Sequence, residues 1–315
     1  METAILLSTY NGELFFEEQL RSIFNQQYPH WKLFIRDDGS TDGTLAMIKK
    51  YQSQNPGKII FIQDNFGNVG AKKSFSILLD QCDADYIAFA DQDDIWKPEK
   101  LLLTMNEIKN AENKFGKGTP LLIHHDLEIA NEKMEIISDS FYSFTGLSAV
   151  NAKQTSILWR NVIPGCSMMI NKALAEEAGE IPAEAVMHDY WLVLFAHFTG
   201  QIFFIPQSLT IYRQHGKNRL GAEKKKGQKS WKEIFGNIRH AKKNPGSFYN
   251  RYKAYCEQAK VFAQRFSEND SRINVVRSFI SLNESSSPLK KRRLAFQNHF
   301  YSGSFKEKIE QLFSW

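Results

Sequence analysis

The sequence predicts an α/β fold in which helices flank a mainly parallel sheet, followed by a basic, helical C-terminal region. In the first half of the chain, short apolar runs alternate with amphipathic stretches, which is typical of βαβ units. Acidic and small polar residues directly follow several of these runs, and parallel α/β sheets bind ligands at the carboxyl ends of their strands. The last third of the chain combines helical spacing with an excess of lysine and arginine.

Apolar runs and their spacing predict the individual elements. Strands are predicted in the first half at residues 4–8, 33–38, 58–63 and 85–90. Helices are predicted between them, because apolar residues recur on one helical face, at 14–27, 44–51 and 71–81. The second half is predicted to hold a helix from Pro98 to about residue 114, extended segments at 121–130, 162–170 and 201–215, and helices from about 172 and 189.

Charge divides the chain into an acidic body and a basic tail. The 315 residues carry a net charge of +5, but residues 217–315 hold 22 Lys and Arg against 8 Asp and Glu. A tail of this kind is expected to meet an anionic partner, such as a phospholipid surface or a lipid diphosphate. The alternative is an ordinary solvated helical surface.

Apolar runs and cysteines indicate the compartment. No apolar run approaches the roughly 18–20 residues of a membrane-spanning helix, and the first residues do not resemble a signal peptide. Cys82, Cys166 and Cys256 are widely spaced and predict no disulfide framework. We therefore expect a cytoplasmic protein. A nucleic-acid partner is not expected, because no recognisable nucleic-acid-binding motif accompanies the basic tail.

Three carboxylates lie within four residues after the apolar run 85–90, in the segment Asp91-Gln92-Asp93-Asp94. A capping turn needs only one Asp, and clustered carboxylates repel one another unless they share a cation. Mg²⁺ and Mn²⁺ prefer oxygen ligands, and Mg²⁺ commonly binds through one or two carboxylates plus substrate phosphates. The segment therefore predicts a divalent metal site, with an acidic capping turn as the alternative.

Three other acidic positions also have simpler explanations. Asp37-Asp38-Gly39-Ser40 and Asp126 are typical of turns and strand ends. Asp189 lies at the start of an apolar helix, where it is either an N-cap or, beside aromatic residues, a general base with a raised pKa. The residue pattern alone leaves these two roles of Asp189 open.

Five segments occur in a characteristic order over about residues 1–215: Ser8-Thr9-Tyr10-Asn11-Gly12, Arg36 to Asp42, Asn68-Val69-Gly70, Ala90 to Trp96, and His188-Asp189. Together they resemble family 2 of the inverting glycosyltransferases, which has the GT-A fold. The segments 91–96, 188–191 and 212–215 are most similar to the bacterial rhamnosyltransferases of cell-wall and O-antigen polysaccharide synthesis. One departure from the wider family is that His188 precedes the base Asp, where a Glu is frequent.

The resemblance implies a role for each matching residue. The nucleotide would lie against Ser8, Tyr10, Asn11, Asp38, Asn68, Lys73 and Asp91, with Asp38 accepting a hydrogen bond from the base. Asp93 would bind Mn²⁺ or Mg²⁺, His215 would add a metal or diphosphate contact, and Asp189 would be the catalytic base. The acceptor side would include Gly165, Cys166, Ser167, His188 and Trp191. A purely structural role is the alternative for His215 and for the segment 165–168.

The implied reaction is a single displacement that inverts the anomeric carbon. The resemblance favours dTDP-L-rhamnose as donor, with a UDP-hexose as the alternative, since thymine and uracil share the edge that Asp38 would recognise. The acceptor would be a glycan or an undecaprenyl-diphosphate-linked sugar at the cytoplasmic face of the inner membrane. An apolar patch should face the methyl group of a 6-deoxy sugar, and Trp96, Tyr190 and Trp191 are available for it.

The predicted catalytic domain follows from the same resemblance, and the linker and tail follow from composition and helical pattern. A catalytic domain is expected over residues 1–216, with its nucleotide-binding half at about 1–97 and its acceptor half at about 98–216. Residues 217–229 are expected to be a linker and 230–315 the basic helical region.

A nicotinamide dehydrogenase or a nucleotidyltransferase is disfavoured, because the turn at residues 9–12 lacks their glycine-rich loops. A non-catalytic glycan-binding protein of the same fold is the alternative from another class, although it would be expected to lack Asp93 or Asp189.

Overall fold

The computed structural model describes residues 2–147, 149, 155–216, 247–285, 287–298 and 300. Its nine strands are β1 Thr3–Thr9, β2 Trp31–Asp37, β3 Ile59–Ile62, β4 Tyr86–Ala90, β5 Ile95–Trp96, β6 Leu121–Asn131, β7 Ile136–Ser138, β8 Met168–Asn171 and β9 Gln201–Gln214. The helices are α1 Phe16–Phe24, α2 Thr44–Gln54, α3 Ala71–Asp80, α4 Lys100–Phe115, α5 Phe141–Thr145, α6 Lys172–Ala178, α7 His188–Thr199, α8 Ser247–Ala263, α9 Asn274–Glu284 and α10 Pro288–Gln297. The predicted α/β fold with helices in the C-terminal region is confirmed.

All nine strands form one sheet, in the order β3-β2-β1-β4-β8-β6-β9-β5, with β7 paired to β6. The strands β3, β2, β1 and β4 are parallel, as the sequence predicts. Beyond β4 the sheet is mixed, because β8 runs antiparallel to both of its neighbours. The predicted extended segment 162–170 is not a single strand: it contains a short 3-10 turn, Gly165–Ser167, before β8 begins.

The strands β1 and β4 are almost entirely buried, because both faces of the sheet are covered there. Ile5, Leu6 and Leu7 of β1 are all fully buried, and every residue of β4 is buried. Thr9 pairs with Asp37, and Leu7 pairs with Ala90, so β1, β2 and β4 end at the same edge of the sheet. The residues that follow these strands are therefore brought together, and this edge is where the candidate site lies.

The chain divides into two compact units. The first comprises Met1–Ala149, Ile163–Ile181 and Met187–Lys224, and the second comprises Val150–Val162, Pro182–Val186 and Lys225–Trp315. Two segments internal to the predicted catalytic domain, residues 150–162 and 182–186, belong to the second of these units. The predicted linker, residues 217–229, lies outside the described residues.

Side-chain packing explains why those two segments belong to the second unit. The Trp159 ring stacks on Phe279 at 5.9 Å and meets Phe300 edge-on at 5.6 Å. The backbone N–H of Val186 donates a 2.8 Å hydrogen bond to the buried side chain of Gln258.

Among the described residues, no helix is both long and apolar enough to cross a bilayer.

Two adjacent histidines of β6 are fully buried. Nδ1 of His124 lies 3.0 Å from the Tyr142 hydroxyl, and Nδ1 of His125 donates to the backbone oxygen of Asp126 at 2.7 Å. Burial lowers the pKa of His124 to about 3 and the pKa of His125 well below its usual value. Both rings are therefore neutral at pH 7.

The buried state of His124 predicts a pH dependence of stability. Between pH 6.5 and about 3 the unfolded chain binds a proton at His124 that the folded chain does not, so folded stability falls as the pH falls. Relative to a His124→Gln variant, the wild type should lose about 1.4 kcal/mol of unfolding free energy per pH unit below about 6. Urea denaturation of both proteins between pH 7 and 4.5 measures this difference. A constant difference across the range would contradict the assignment.

Candidate active site

The carboxylate cluster follows the buried strand β4. Asp94 is fully buried, and the ligand atoms of Asp91, Asp94 and Cys166 all lie within 4.8 Å of one another. The Asp94 Oδ1 accepts a hydrogen bond from the backbone N–H of Arg213 at 3.3 Å. Its other oxygen, Oδ2, is buried without hydrogen-bonding geometry to any donor in the described chain. Such an oxygen is available to a cation.

Burial and mutual repulsion change the pKa values in this cluster. Burial, followed by repulsion from Asp93 and Asp189, raises the pKa of Asp91 to about 7. Burial, together with weaker repulsion from Asp93 and Asp91, also raises the pKa of Asp94 well above its usual value. A bound cation would relieve this repulsion, so the donor set fits Mg²⁺ or Mn²⁺. Burial also raises the pKa of the Cys166 thiol, which keeps it protonated and makes it a poor ligand for these hard cations.

Asp93 and His215 meet although they are 122 positions apart in the chain. Asp93 Oδ2 and His215 Nε2 lie 2.8 Å from each other, and both side chains are largely buried. The His215 ring also packs at 4.7 Å against Phe15. The structure therefore brings together the two residues that the sequence predicts as metal contacts.

Arg213 fixes the loop that carries these carboxylates. Its Nε donates to the backbone oxygen of Asp93 at 3.0 Å, and an Nη donates to the backbone oxygen of Glu132 at 3.1 Å. The guanidinium also pairs with Glu18 and lies 4.6 Å above the Phe15 ring. Arg213 belongs to the motif at residues 212–215, but the sequence does not predict this role, because the partners of Arg213 come from distant parts of the chain.

Lys100 is a second group that sequence analysis missed. Its buried ammonium donates to the backbone oxygen of Cys166 at 2.6 Å and to Thr210 Oγ1 at 3.0 Å, and it lies 3.6 Å above the Trp96 ring. Burial lowers the pKa of Lys100 to about 7. The signal in the sequence is its position on the buried stripe of α4, one residue before Leu101.

Asp189 lies in the first turn of α7, close enough to Asp91 to contribute to the raised pKa of that residue. The N-cap of α7 is Met187, so Asp189 is not the N-cap, and its Oδ1 accepts the Tyr190 N–H at 2.6 Å. A Cβ on Gly165 would lie 3.3 Å from the Asp189 Cβ and 3.5 Å from its Oδ2. Gly165 therefore keeps the space beside the Asp189 carboxylate clear.

The other acceptor-side predictions divide into neighbours of Asp189 and core residues. The ring of His188 stacks on Phe75 at 3.9 Å, and Ser167 is buried with its hydroxyl donating to the Pro164 backbone oxygen at 2.7 Å. Trp96, Tyr190 and Trp191 are at most 2% exposed. The Trp191 Nε1 donates to the backbone oxygen of Ala178. These three rings belong to the core, which corrects the expectation that they form a patch facing the sugar.

On the nucleotide side, Tyr10 is 48% exposed at the end of β1. Asn11, with a φ of 48°, uses its side chain to accept the Thr41 N–H at 2.8 Å, and its own N–H donates to Ser40 Oγ at 2.8 Å. The Ser8 hydroxyl donates to Ser74 Oγ at 2.7 Å. Asn11 thus connects the loop that follows β1 to the loop that follows β2, and Ser8 connects β1 to α3. The Tyr10 ring is partly exposed to solvent.

Asp38 is 2% exposed, and its carboxylate accepts hydrogen bonds from neighbouring protein groups. Its Oδ1 accepts from Arg36 at 2.6 Å and from the Val69 N–H at 2.8 Å, and its Oδ2 accepts from the Gly70 N–H at 2.8 Å. Arg36 also pairs with Asp64 at 2.7 Å. The hydrogen bond from a base to Asp38 stays a prediction: Oδ1 already accepts two hydrogen bonds from the protein, and Oδ2 accepts one.

Asn68 is exposed on the loop that Asp38 shapes, next to Val69. Lys73 is also exposed, and its ammonium lies 3.5 Å from Glu180. Asp126 has the structural role that was preferred for it. Its oxygens accept hydrogen bonds from the backbone N–H of Phe141 and from the Ser140 hydroxyl at the start of α5.

Comparison with known proteins identifies the family. The model of Glycosyl transferase family 2 matches residues 4–176. The chain is a family 2 glycosyltransferase. It is 31% identical over 229 residues, which are 69% of this chain and 74% of the relative, to the dTDP-rhamnosyl transferase RfbG of Shigella flexneri. It is also 31% identical over 99 residues, 31% of this chain and 38% of the relative, to the putative teichuronic acid biosynthesis glycosyltransferase TuaG of Bacillus subtilis.

Solved structures agree on the fold. Residues 1–349 of S. aureus TarS in complex with UDP-GlcNAc superpose with a TM-score of 0.57 at 16% identity, covering 100% of this chain and 79% of that one. The mannosyltransferase PcManGT from Pyrobaculum calidifontis, in complex with GDP-Man and Mn²⁺, gives 0.53 at 14% identity, covering 94% and 73%. The predicted GT-A fold of this glycosyltransferase is thereby confirmed.

The buried position of Asp38 predicts that its loss destabilises the fold. An Asp38→Ala substitution leaves Arg36 short of one partner and two backbone N–H groups unsatisfied. We expect the unfolding free energy to fall by about 3 kcal/mol, as for other buried ion pairs that lose one partner. The control is Asp83→Ala, which removes an exposed pair with Lys172 and should leave stability nearly unchanged. Equal unfolding curves for the two variants would contradict the structural role of Asp38.

Proposed function

We propose that this glycosyltransferase moves a sugar from a nucleotide diphosphate donor onto a hydroxyl group of a glycan or lipid-linked acceptor, with inversion of the anomeric carbon. The observation that carries the proposal is the shared edge of the sheet, where the cluster of Asp91, Asp93 and Asp94 lies beside Asp189. The cluster can hold a cation against a diphosphate, and the separate carboxylate can accept a proton. The site lies within the first compact unit.

A divalent cation, Mn²⁺ or Mg²⁺, would be held by Asp93 and His215, with oxygens of Asp91 and Asp94 nearby. When bound, it would supply Lewis-acid neutralisation of the charge that develops on the leaving diphosphate. Support comes from the 2.8 Å contact between Asp93 and His215 and from the buried Asp94 oxygen without a donor. Arg213 keeps the loop in this shape through the Asp93 backbone.

Asp189 is proposed as the general base. Its position in the first turn of α7 keeps the carboxylate half-buried, and Tyr190 holds one of its oxygens. A base must come within roughly 2.6–3.2 Å of the hydroxyl whose proton it takes. The absence of a side chain at Gly165 supports such an approach, because it leaves room next to Oδ2. The acceptor oxygen then attacks the anomeric carbon as its proton passes to Asp189.

The donor is proposed to be dTDP-L-rhamnose. The observation that favours it is the 31% identity to a dTDP-rhamnosyl transferase over 69% of this chain. The alternative is a UDP-hexose, which is supported by the 31% identity over 32% of the chain to TarS, a poly(ribitol-phosphate) beta-N-acetylglucosaminyltransferase. The acceptor is proposed to belong to a cell-surface polysaccharide, since the relatives include a teichuronic acid glycosyltransferase.

A donor panel tests the proposed activity. Purified protein is assayed with dTDP-rhamnose, UDP-glucose, UDP-galactose and UDP-N-acetylglucosamine, on lipid-linked and rhamnose-terminated acceptors, with Mn²⁺, with Mg²⁺ and with EDTA. We expect turnover with dTDP-rhamnose that EDTA removes and that Asp93→Ala abolishes. A UDP-hexose preferred over dTDP-rhamnose by more than about tenfold would overturn the proposed donor. Full activity of Asp93→Ala with added metal would overturn the metal site.

Removal of the proposed base should separate catalysis from binding. Asp189→Asn keeps the size and hydrogen-bonding capacity of the side chain but removes its basicity. Turnover should fall by roughly 10²–10⁴-fold while donor affinity, measured by calorimetry, stays the same. Circular dichroism checks the fold, and Asp83→Asn at an exposed position serves as the matched control. Loss of donor binding together with unfolding would show that Asp189 is structural instead.

We further propose that the C-terminal unit binds the cytoplasmic face of a membrane. On α10, an exposed face carries Leu289 and Phe296, which are 76% and 74% exposed, together with Lys290 and Arg293. Leu289, Arg293 and Phe296 are separated by three, four and seven residues, so they share one side of the helix, and Lys290 lies three residues from Arg293 at the edge of that side. Apolar side chains among cations on one helical face are typical of helices that lie in a membrane interface. Lys224-Lys225-Lys226 of the predicted basic tail lie outside the described residues.

Liposome co-sedimentation of the full chain tests this surface. Lys290→Glu/Arg293→Glu should weaken binding to anionic liposomes by at least about tenfold, because each cation contributes about 1 kcal/mol near such a surface. Leu289→Ser/Phe296→Ser should weaken it as well, because it removes the apolar side chains that would enter the interface. Lys49→Glu/Lys50→Glu on α2 changes the charge equally and should bind like the wild type. Salt should weaken binding. Equal binding of the wild type to neutral and anionic liposomes would overturn the proposal.

A further inference from the structure

Gln92 connects two loops that the proposed site needs in a fixed geometry. It lies between Asp91 and Asp93, on the loop that follows β4. Its side-chain amide reaches Tyr10, 82 positions earlier, on the loop that follows β1. Nε2 of Gln92 donates to the Tyr10 backbone oxygen at 3.0 Å, and Oε1 accepts the Tyr10 backbone N–H at 2.8 Å. One side chain thus satisfies both backbone groups of one residue.

Gly12 provides an independent observation of the same contact. A Cβ at position 12 would lie 2.5 Å from Gln92 Oε1 and 2.8 Å from its Cδ. Gly12 does not have a positive φ, so its backbone does not itself require glycine. The requirement at this position is space. Any side chain on Gly12 would displace the Gln92 amide from Tyr10.

Gln92 holds one side of the β1 loop, and other contacts hold the opposite side. Asn11 bonds to Ser40 and Thr41 of the loop after β2. Gln92 supplies the corresponding bonds toward the loop after β4, and those bonds go to the backbone, so the Tyr10 side chain remains exposed. The position of Tyr10 relative to Asp91 and Asp93 therefore depends on the Gln92 amide.

We propose that Gln92 is a positioning residue that holds the Tyr10 loop at a fixed distance from the metal-binding carboxylates. This inference rests on the proposed function, in which Asp93 holds the cation at the diphosphate, and on the predicted contact of Tyr10 with the nucleotide. The donor then meets two preorganised contacts and does not have to order the β1 loop as it binds. Among the described residues, the hydrogen bonds of the Gln92 side chain go to the Tyr10 backbone and not to Asp189, so its loss should act on donor binding and leave the chemical step intact.

Nucleotide titrations of four variants test the proposal. Gln92→Met keeps the length of the side chain but loses both hydrogen bonds, Gln92→Ala removes the amide, and Gly12→Ala displaces it. Each should weaken the binding of dTDP or UDP in the presence of Mn²⁺ by roughly tenfold, the scale of two lost hydrogen bonds. The donor KM should rise in parallel, with kcat changed by less than about twofold. Gly118→Ala, where a Cβ meets nothing within 4 Å, is the matched control.

The double variant Gly12→Ala/Gln92→Ala makes the test specific. If Gly12 acts only by leaving room for Gln92, the double variant should bind nucleotide no more weakly than Gln92→Ala alone. Additive losses would overturn the proposal, and so would a Gln92→Met variant that binds nucleotide like the wild type. A fall in kcat at unchanged donor KM would also overturn it.

Hydrogen exchange separates this proposal from the proposed function. Without any nucleotide, the amide of Tyr10 should exchange roughly tenfold faster in Gln92→Met than in the wild type, because its hydrogen-bond acceptor is lost. Unchanged exchange would overturn the contact itself. If the exchange changes as expected but the wild type binds neither dTDP nor UDP, the proposed donor class fails and Gln92 loses its proposed role in donor binding.

Discussion

The crowding of carboxylates at the carboxyl end of β4 is the constraint on which the candidate site depends. β4 is buried along its whole length, so Asp91 and Asp94 leave the sheet where water is scarce and like charges repel strongly. Nitrogen-bearing side chains approach from two elements: Lys100 from α4, and Arg213 and His215 from β9 and its end. The long strand β9 matters because it delivers two of these groups to a loop far away in the chain.

Two glycines of the site are needed for the space that they leave. Gly12 leaves the space that the Gln92 amide fills, and Gly165 leaves the space beside Asp189. Neither residue has a positive φ, so both positions are restricted by a neighbouring side chain and not by backbone conformation. At both positions the absence of a Cβ atom therefore shapes the site. A sequence motif records such a glycine but does not show which neighbour requires it.

Much of the fold and part of the site could be predicted from local sequence. Apolar runs located the strands, and the rule that ligands bind at strand ends located the acidic loop. Burial caused by distant partners could not be predicted: Asp38 turns inward because Arg36 and a loop 31 residues away bind it. Trp191 is in the core for the same kind of reason. The role of Lys100 was missed because a charged residue at a helix start ordinarily faces solvent.

The interleaving of the two compact units has a consequence for synthesis on the ribosome. Trp159 belongs to the second unit, but its stacking partner Phe279 follows about 120 residues later. At elongation rates of 5–20 residues per second, the segment around Trp159 waits about 6–24 s for its partner. During that interval the Trp159 indole lacks its native contact with Phe279. The first unit can therefore complete its sheet early, whereas the second closes only when the last helices emerge.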